Sequence, residues 1–139
     1  GDAMLARTPL PPSLRDLARA ALGRSGHGDV EQKLMELEAD IAAGRSQVWA
    51  FGRSLIITNS TEDERGRVGL FYHVVAGDLG EVLRGEEVIS QYAADSGADF
   101  VRGHGRKGWA RTMMRQDSRW QKLRETEAGV IMQKDLRHG

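Results

Sequence analysis

The chain has 139 residues, of which 40% are apolar and 29% charged, and its 20 basic and 20 acidic side chains leave no formal net charge. This length and composition are typical of one globular domain, and the balanced charge provides no global field toward nucleic acid or a membrane. The absence of cysteine excludes a disulfide scaffold, a thiolate zinc site and a cysteine nucleophile. Because no apolar run reaches roughly 20 residues and no signal peptide is recognisable, we expect a cytoplasmic protein.

Hydrophobic periodicity predicts alternating helices and strands after an N-terminal tail at 1–12. Apolar residues at helical spacing indicate helices that begin at Ser13 and Asp29, and from Gln47 onward the period changes to two, as in strands. The predicted elements are, in chain order, helices at 13–23 and 29–44, strands at 47–51, 54–59 and 67–76, a helix at 79–96, a strand at 98–102, a short helix at 107–116, and strands at 119–125 and 130–136. The order ααβββαβαββ predicts an α/β (α+β) domain.

One stretch, Glu87–Met114, combines a helix, a short strand ending Ala98-Asp99-Phe100-Val101, the turn Gly105-Arg106-Lys107-Gly108-Trp109 and a second helix. With the order of elements, this pattern resembles the GCN5-related N-acetyltransferase (GNAT) family, and in particular small GNAT-like proteins of phage and prophage genomes. The likeness covers roughly 45–136. It implies a mixed, mostly antiparallel central sheet with flanking helices in a single domain at 13–139, located in a bacterial host cytoplasm or in a virion.

The resemblance also implies where a cofactor would bind. Members of the family hold the pyrophosphate of acetyl-CoA on backbone amides of an R/Q-x-x-G-x-G/A loop, at a helix N-terminus that attracts anions. This chain has Ala76-Gly77-Asp78-Leu79-Gly80-Glu81, without the Arg or Gln and with two acids where phosphates would lie. Candidate cofactor-binding residues are Gly77, Leu79, Gly80 and Arg84. The family's tyrosine general acid has no counterpart in Ala110–Met114.

Two residues are candidates for a general base, His73 in the central strand and Glu81 in the loop, although a core histidine is the alternative for His73. No pair of histidines has the spacing of metal ligands, so we expect no metal site.

A glycine-rich segment, Gly103–Gly108, matches G-x-G-x-x-G, which allows either a dinucleotide site or, as we expect here, a tight turn. Six basic residues and one acid, Asp117, lie between Arg102 and Arg119. This surface is a candidate for binding phosphate, nucleic acid or an acidic partner, and a solvated face is the alternative. Its candidate residues are His104, Arg106, Lys107, Arg111 and Arg115.

Three functions fit these patterns. The preferred one is a GNAT-like protein without acetyl transfer, which serves as a phage-type binding, virion or assembly component with a protein partner. The second is an acetyl-CoA-dependent N-acyltransferase. The third is a nucleic-acid accessory protein that uses the basic residues at 102–119.

Overall fold

The computed structural model describes residues 4–6, 10–24 and 28–136. Its elements are, in chain order, β1 (Met4–Ala6), α1 (Pro12–Arg24), α2 (Val30–Ala42), β2 (Ser46–Phe51), β3 (Ser54–Glu62), β4 (Val68–Ala76), α3 (Leu79–Asp95), β5 (Phe100–Gly105), α4 (Lys107–Gln116), β6 (Trp120–Thr126) and β7 (Gly129–Asp135). The predicted order is confirmed from α1 onward. Strand β1 is additional and lies inside the predicted tail, because three residues are too few to display a period of two.

The strands form one mixed sheet in the order β1-β2-β3-β4-β5-β7-β6. Only β4 and β5 are parallel among the strand pairs with a described register, and the other described pairs are antiparallel. This arrangement confirms the predicted fold class. Among the described residues, no helix is both long and apolar enough to cross a membrane.

The chain divides into two compact units, and the first contains the residues up to Asn59 together with His73–Glu86. Here β2 pairs with β1 on one side and β3 on the other. The apolar faces of α1 and α2 pack against these strands, and an Arg15–Glu38 ion pair of 3.0 Å joins the two helices. The core of this unit consists of Leu10, Ala18, Leu22, Leu34, Leu37, Ile41, Val48, Leu55, Ile57 and Val74.

The second unit contains Ser60–Tyr72 and the residues from Glu87 onward. The buried side of α4, formed by Ala110 and Met113, faces the sheet, and α4 contacts β5, β6 and β7. Tyr72 and Trp120 pack with their ring centroids 6.2 Å apart. The predicted tight turn at 103–108 is wrong, because β5 extends through Gly105 and leaves only Arg106 before α4.

The reason for this longer strand is backbone pairing. Gly103 and Gly105 lie opposite Met132 and Val130 of β7, so ladder hydrogen bonds outweigh the turn preference of glycine. Glycine is needed at the neighbouring hairpin because a Cβ on Gly129 would overlap the carbonyl oxygen of Gly105.

Candidate functional site

The loop that leaves β4 is held in place by a buried serine of β3. Ser54 is fully buried, and its Oγ accepts a hydrogen bond from the amide of Asp78 at 2.8 Å. Gly77 has a φ of +118°, and a Cβ there would overlap Ser54, so only glycine fits at the start of the loop. The loop therefore has a fixed backbone, and α3 begins directly after it.

The side chain of Asp78 caps the N-terminus of α3. Its Oδ2 accepts a hydrogen bond from the amide of Glu81 at 3.0 Å, the position that an N-cap side chain normally serves. The negative charge also lies at the positive end of the helix dipole, which is favourable. One of the few amides that this helix could offer to a ligand is thus already occupied by the protein.

The side chain of Glu81 is bound to the β2–β3 hairpin. Its Oε1 accepts hydrogen bonds from Ser54 Oγ at 2.7 Å and from the amide of Arg53 at 3.1 Å. Its carboxylate lies against Gly52, where φ is +59° and a Cβ would overlap Oε2. This geometry gives Glu81 a structural role at the β2–β3 hairpin, and its role as a general base stays a prediction.

The remaining candidates of the loop, Leu79, Gly80 and Arg84, are in the first two turns of α3. The amides of Leu79 and Gly80 have no intrahelical acceptor, since the first amides of any helix lack one. A Cβ built on Gly80 would lie 3.2 Å from Asp78 Oδ2 and 3.5 Å from Arg84 Nη1, so a carboxylate and a guanidinium flank this glycine. Arg84 and Arg53 are both exposed.

The carboxylate of Asp78 would oppose a coenzyme A diphosphate in this loop. The oxygens of the diphosphate would meet the carboxylate of Asp78 at the amide of Glu81, which that carboxylate already occupies. Two unit charges 4 Å apart repel each other by about 1 kcal/mol in bulk water and about 4 kcal/mol near a protein surface. The repulsion would add to the loss of the helix cap, and the nearby charge of Arg84 would oppose it.

His73 lies on β4 and has no hydrogen bond to any described residue, Glu81 included. The residue is exposed, yet its ring is close enough to protein atoms that burial lowers the pKa of His73, against the attraction of Asp40. A lowered pKa keeps the imidazole neutral at pH 7, which is the form that accepts a proton. The described residues contain no group of three or more His, Asp or Glu side chains that could hold a metal ion.

The predicted anion-binding residues lie at and beyond the end of β5. His104 is exposed, and its Nε2 lies 2.8 Å from Oγ1 of Thr126. All the basic candidates of this group are exposed as well, namely Arg106, Lys107, Arg111 and Arg115. The α4 segment contains no tyrosine, and its Thr112 hydroxyl donates to the carbonyl of Gly108.

Sequence reasoning missed Ser54 and Arg53, which bind the two acids of the loop. The sequence contains one signal for Ser54: it is a single polar residue at the start of the apolar run Leu55–Ile57. A hydroxyl buried in such a strand needs a hydrogen-bond partner. It also missed the cluster in which Asp117 accepts hydrogen bonds from Arg119 and from the buried Lys134. Nothing in the sequence pairs these residues, since Lys134 reads as an ordinary exposed strand residue.

The sequence matches no protein-family model and no curated protein. Solved structures match nearly the whole chain at low identity. A chain of the NatC complex bound to Gag peptide and CoA has a TM-score of 0.66 and 10% identity, covering 99% of this chain and 100% of that chain. A GNAT acetyltransferase from Staphylococcus aureus Mu50 has a TM-score of 0.62 and 8% identity, covering 98% and 100%.

A third structure, the PaiA N-acetyltransferase from Thermoplasma acidophilum in complex with coenzyme A, has a TM-score of 0.54 and 10% identity, covering 97% of this chain and 99% of that chain. The three matches each cover at least 97% of this chain. This chain therefore has the fold of the GNAT acetyltransferases.

Proposed function

We propose that this protein is a GNAT-fold binding component that does not transfer acetyl groups. The observation that carries the proposal is the bond between Asp78 Oδ2 and the amide of Glu81. An acid of the protein occupies a helix-terminal donor in the loop where the fold resemblance implies a cofactor diphosphate. The side chain of Glu81 is committed to Ser54 and Arg53, so neither acid can turn away without losing hydrogen bonds.

A thermal-shift titration of the wild-type chain with acetyl-CoA tests this proposal. A ligand present at 100 times its dissociation constant stabilises a fold by about 2.7 kcal/mol, so binding in the micromolar range would raise the melting temperature clearly. We expect no shift at millimolar acetyl-CoA. Release of coenzyme A thiol can be followed in the same samples without background, because the chain has no cysteine. A concentration-dependent shift would overturn the proposal.

A second candidate is an acetyl-CoA-dependent N-acyltransferase, and specific observations favour it. The amides of Leu79 and Gly80 remain available at the helix N-terminus, and the exposed guanidinium of Arg84 is close to Gly80. The NatC and PaiA structures, which share the fold, contain CoA. In this alternative, the backbone amides and Arg84 hold the diphosphate, and neutral His73 is the candidate proton acceptor.

The variant Arg84→Gln separates the two candidates when it is compared with Arg24→Gln, an exposed arginine at the end of α1. If the acyltransferase candidate holds, R84Q weakens acetyl-CoA binding and R24Q does not. If the binding-component proposal holds, the wild type, R84Q and R24Q all show no binding of acetyl-CoA in the titration. A role in a phage or prophage, in a virion or in the cytoplasm of a bacterial host remains part of the proposal, and its support is the sequence likeness over Glu87–Met114.

A further inference from the structure

The outer face of α4 carries a row of cations. We define the basic face as Arg106, Lys107, Arg111 and Arg115, all of which are exposed. The last three are spaced by four residues, which places them along one side of the helix at steps of about 6 Å. The opposite side of α4, with Ala110 and Met113, is buried. The helix that carries these cations is therefore held in place by the packing of its buried side.

The cations of the basic face form no ion pairs with described residues, unlike five arginines elsewhere in the structure. Arg15, Arg19, Arg45, Arg67 and Arg119 each form an ion pair with a carboxylate at 3.0 Å or less. No ion pair is formed by any residue of the basic face within the described part of the chain. One acid within electrostatic range is Glu125, whose pKa is lowered mainly by its hydrogen bond to Lys122 and further by the charge of Lys107.

This arrangement is unfavourable for the helix on its own. Like charges four residues apart repel each other, and Arg106 and Lys107 add positive charge at the positive end of the helix dipole. The N-cap residue Arg106 makes no side-chain cap hydrogen bond, and the first turn contains no acid. A bound row of anions would relieve all of these repulsions at once.

We propose that the basic face binds the sugar–phosphate backbone of nucleic acid. Phosphates repeat regularly along a strand, and arginine forks match phosphate oxygens in pairs of hydrogen bonds. A membrane surface fits less well, because none of the large exposed apolar side chains of the described residues lies on α4. Because the face consists of cations alone, the proposed contacts are to phosphates, and we expect it to bind DNA of mixed sequence. The inference goes beyond the proposed function and does not depend on it.

The test is fluorescence anisotropy with the full chain and labelled mixed-sequence DNA, both single-stranded and duplex, over a range of salt concentrations. Three to four phosphate contacts predict a slope of about −3 in log K against log salt for duplex. We expect Arg111→Gln with Arg115→Gln to bind about tenfold more weakly at low salt and to lose about two units of slope. The matched control is Arg24→Gln with Arg65→Gln, which removes two exposed charges elsewhere and should bind like the wild type.

Several results would overturn the inference. The first two are no DNA binding at low salt and a slope of log K against log salt near zero. The others are an equal loss of DNA affinity in the control variant and binding to vesicles of anionic phospholipid as strong as binding to DNA. If R111Q/R115Q fails to fold by circular dichroism, Arg106→Gln with Lys107→Gln replaces it and must show the same loss of slope. Asp78→Asn, which alters only the loop after β4, must bind DNA like the wild type, so that failure here and failure of the proposed function remain distinguishable.

Discussion

Ser54 Oγ donates to Glu81 Oε1 at 2.7 Å while it accepts from the amide of Asp78 at 2.8 Å. One buried hydroxyl therefore fixes both acids of the loop, one through its side chain and the other through its backbone. With Asp78 in turn capping the amide of Glu81, the three residues form a closed set of hydrogen bonds at the start of α3. This set satisfies the hydroxyl of Ser54 and the amides of Asp78 and Glu81 from within the protein.

The first prediction concerns the pair Ser54 and Glu81. Ser54→Ala should destabilise the protein by about 1–3 kcal/mol, because it removes the acceptor of the part-buried Asp78 amide and one of the two donors to Glu81 Oε1. In a double-mutant cycle with Glu81→Ala, measured by urea unfolding, we expect a coupling of at least about 0.5 kcal/mol. Additive effects of the two substitutions would contradict a direct bond between them.

The second prediction concerns the helix cap at Asp78. Asp78→Ala should lower the free energy of unfolding by about 1 kcal/mol, the usual cost of losing an N-cap side chain. Asp78→Asn is the matched control, since asparagine caps a helix about as well and lacks the charge. Equal stability of D78A and the wild type would show that the carboxylate does not serve α3.

A third prediction compares two glycines with similar backbones. Gly52 has a φ of +59° and Gly44 a φ of +79°, so alanine should cost each of them about 1 kcal/mol of left-handed strain. A Cβ on Gly44 meets nothing within 4 Å, whereas one on Gly52 meets the carboxylate of Glu81. Chemical denaturation should therefore find G52A less stable than G44A, and Glu81→Ala should remove the difference. If G52A remains less stable than G44A when Glu81 is replaced by alanine, the extra cost at Gly52 does not come from the carboxylate of Glu81.

The fourth prediction concerns acid stability. Hydrogen bonds from Arg119, first its side chain and then its backbone, hold the pKa of Asp117 well below the ordinary 3.8, with a further contribution from Lys134 and against the effect of burial. A lowered folded-state pKa contributes stability that is fully present above the unfolded-state pKa and is lost as pH falls below it. The stability difference between wild type and Asp117→Asn should be constant from neutral pH to about pH 5 and shrink below about pH 4. A difference that grows on acidification would refute this assignment.

The sequence predicted the elements well because local signals agree with the tertiary structure. Leu34, Leu37 and Ile41 recur at helical spacing, and all three are buried in α2. Where the prediction was wrong, at Gly103–Gly105, the pairing partner lies far along the chain in β7. The turn preference of a glycine depends on its neighbours in sequence, so it gives no information about a partner strand that lies 25 or more residues later.

The sequence predicted which types of residue occupy the candidate site but not the contacts that they make. The two acids of the loop, Asp78 and Glu81, were recognisable as unusual for a phosphate-binding loop. That their carboxylates bind a backbone amide and a buried serine was not, since Ser54 lies 24 residues from Asp78 along the chain. Side-chain hydrogen bonds of this range depend on the register of strands and helices, which periodicity does not specify.

The central claim is that the loop after β4 holds no coenzyme diphosphate because the protein's own acids occupy it. Isothermal titration of the wild-type chain with coenzyme A at low ionic strength, with Asp78→Asn measured in parallel, tests it most directly. The account predicts no saturable heat for the wild type at millimolar coenzyme A. A one-to-one isotherm for the wild type with a micromolar dissociation constant would contradict it.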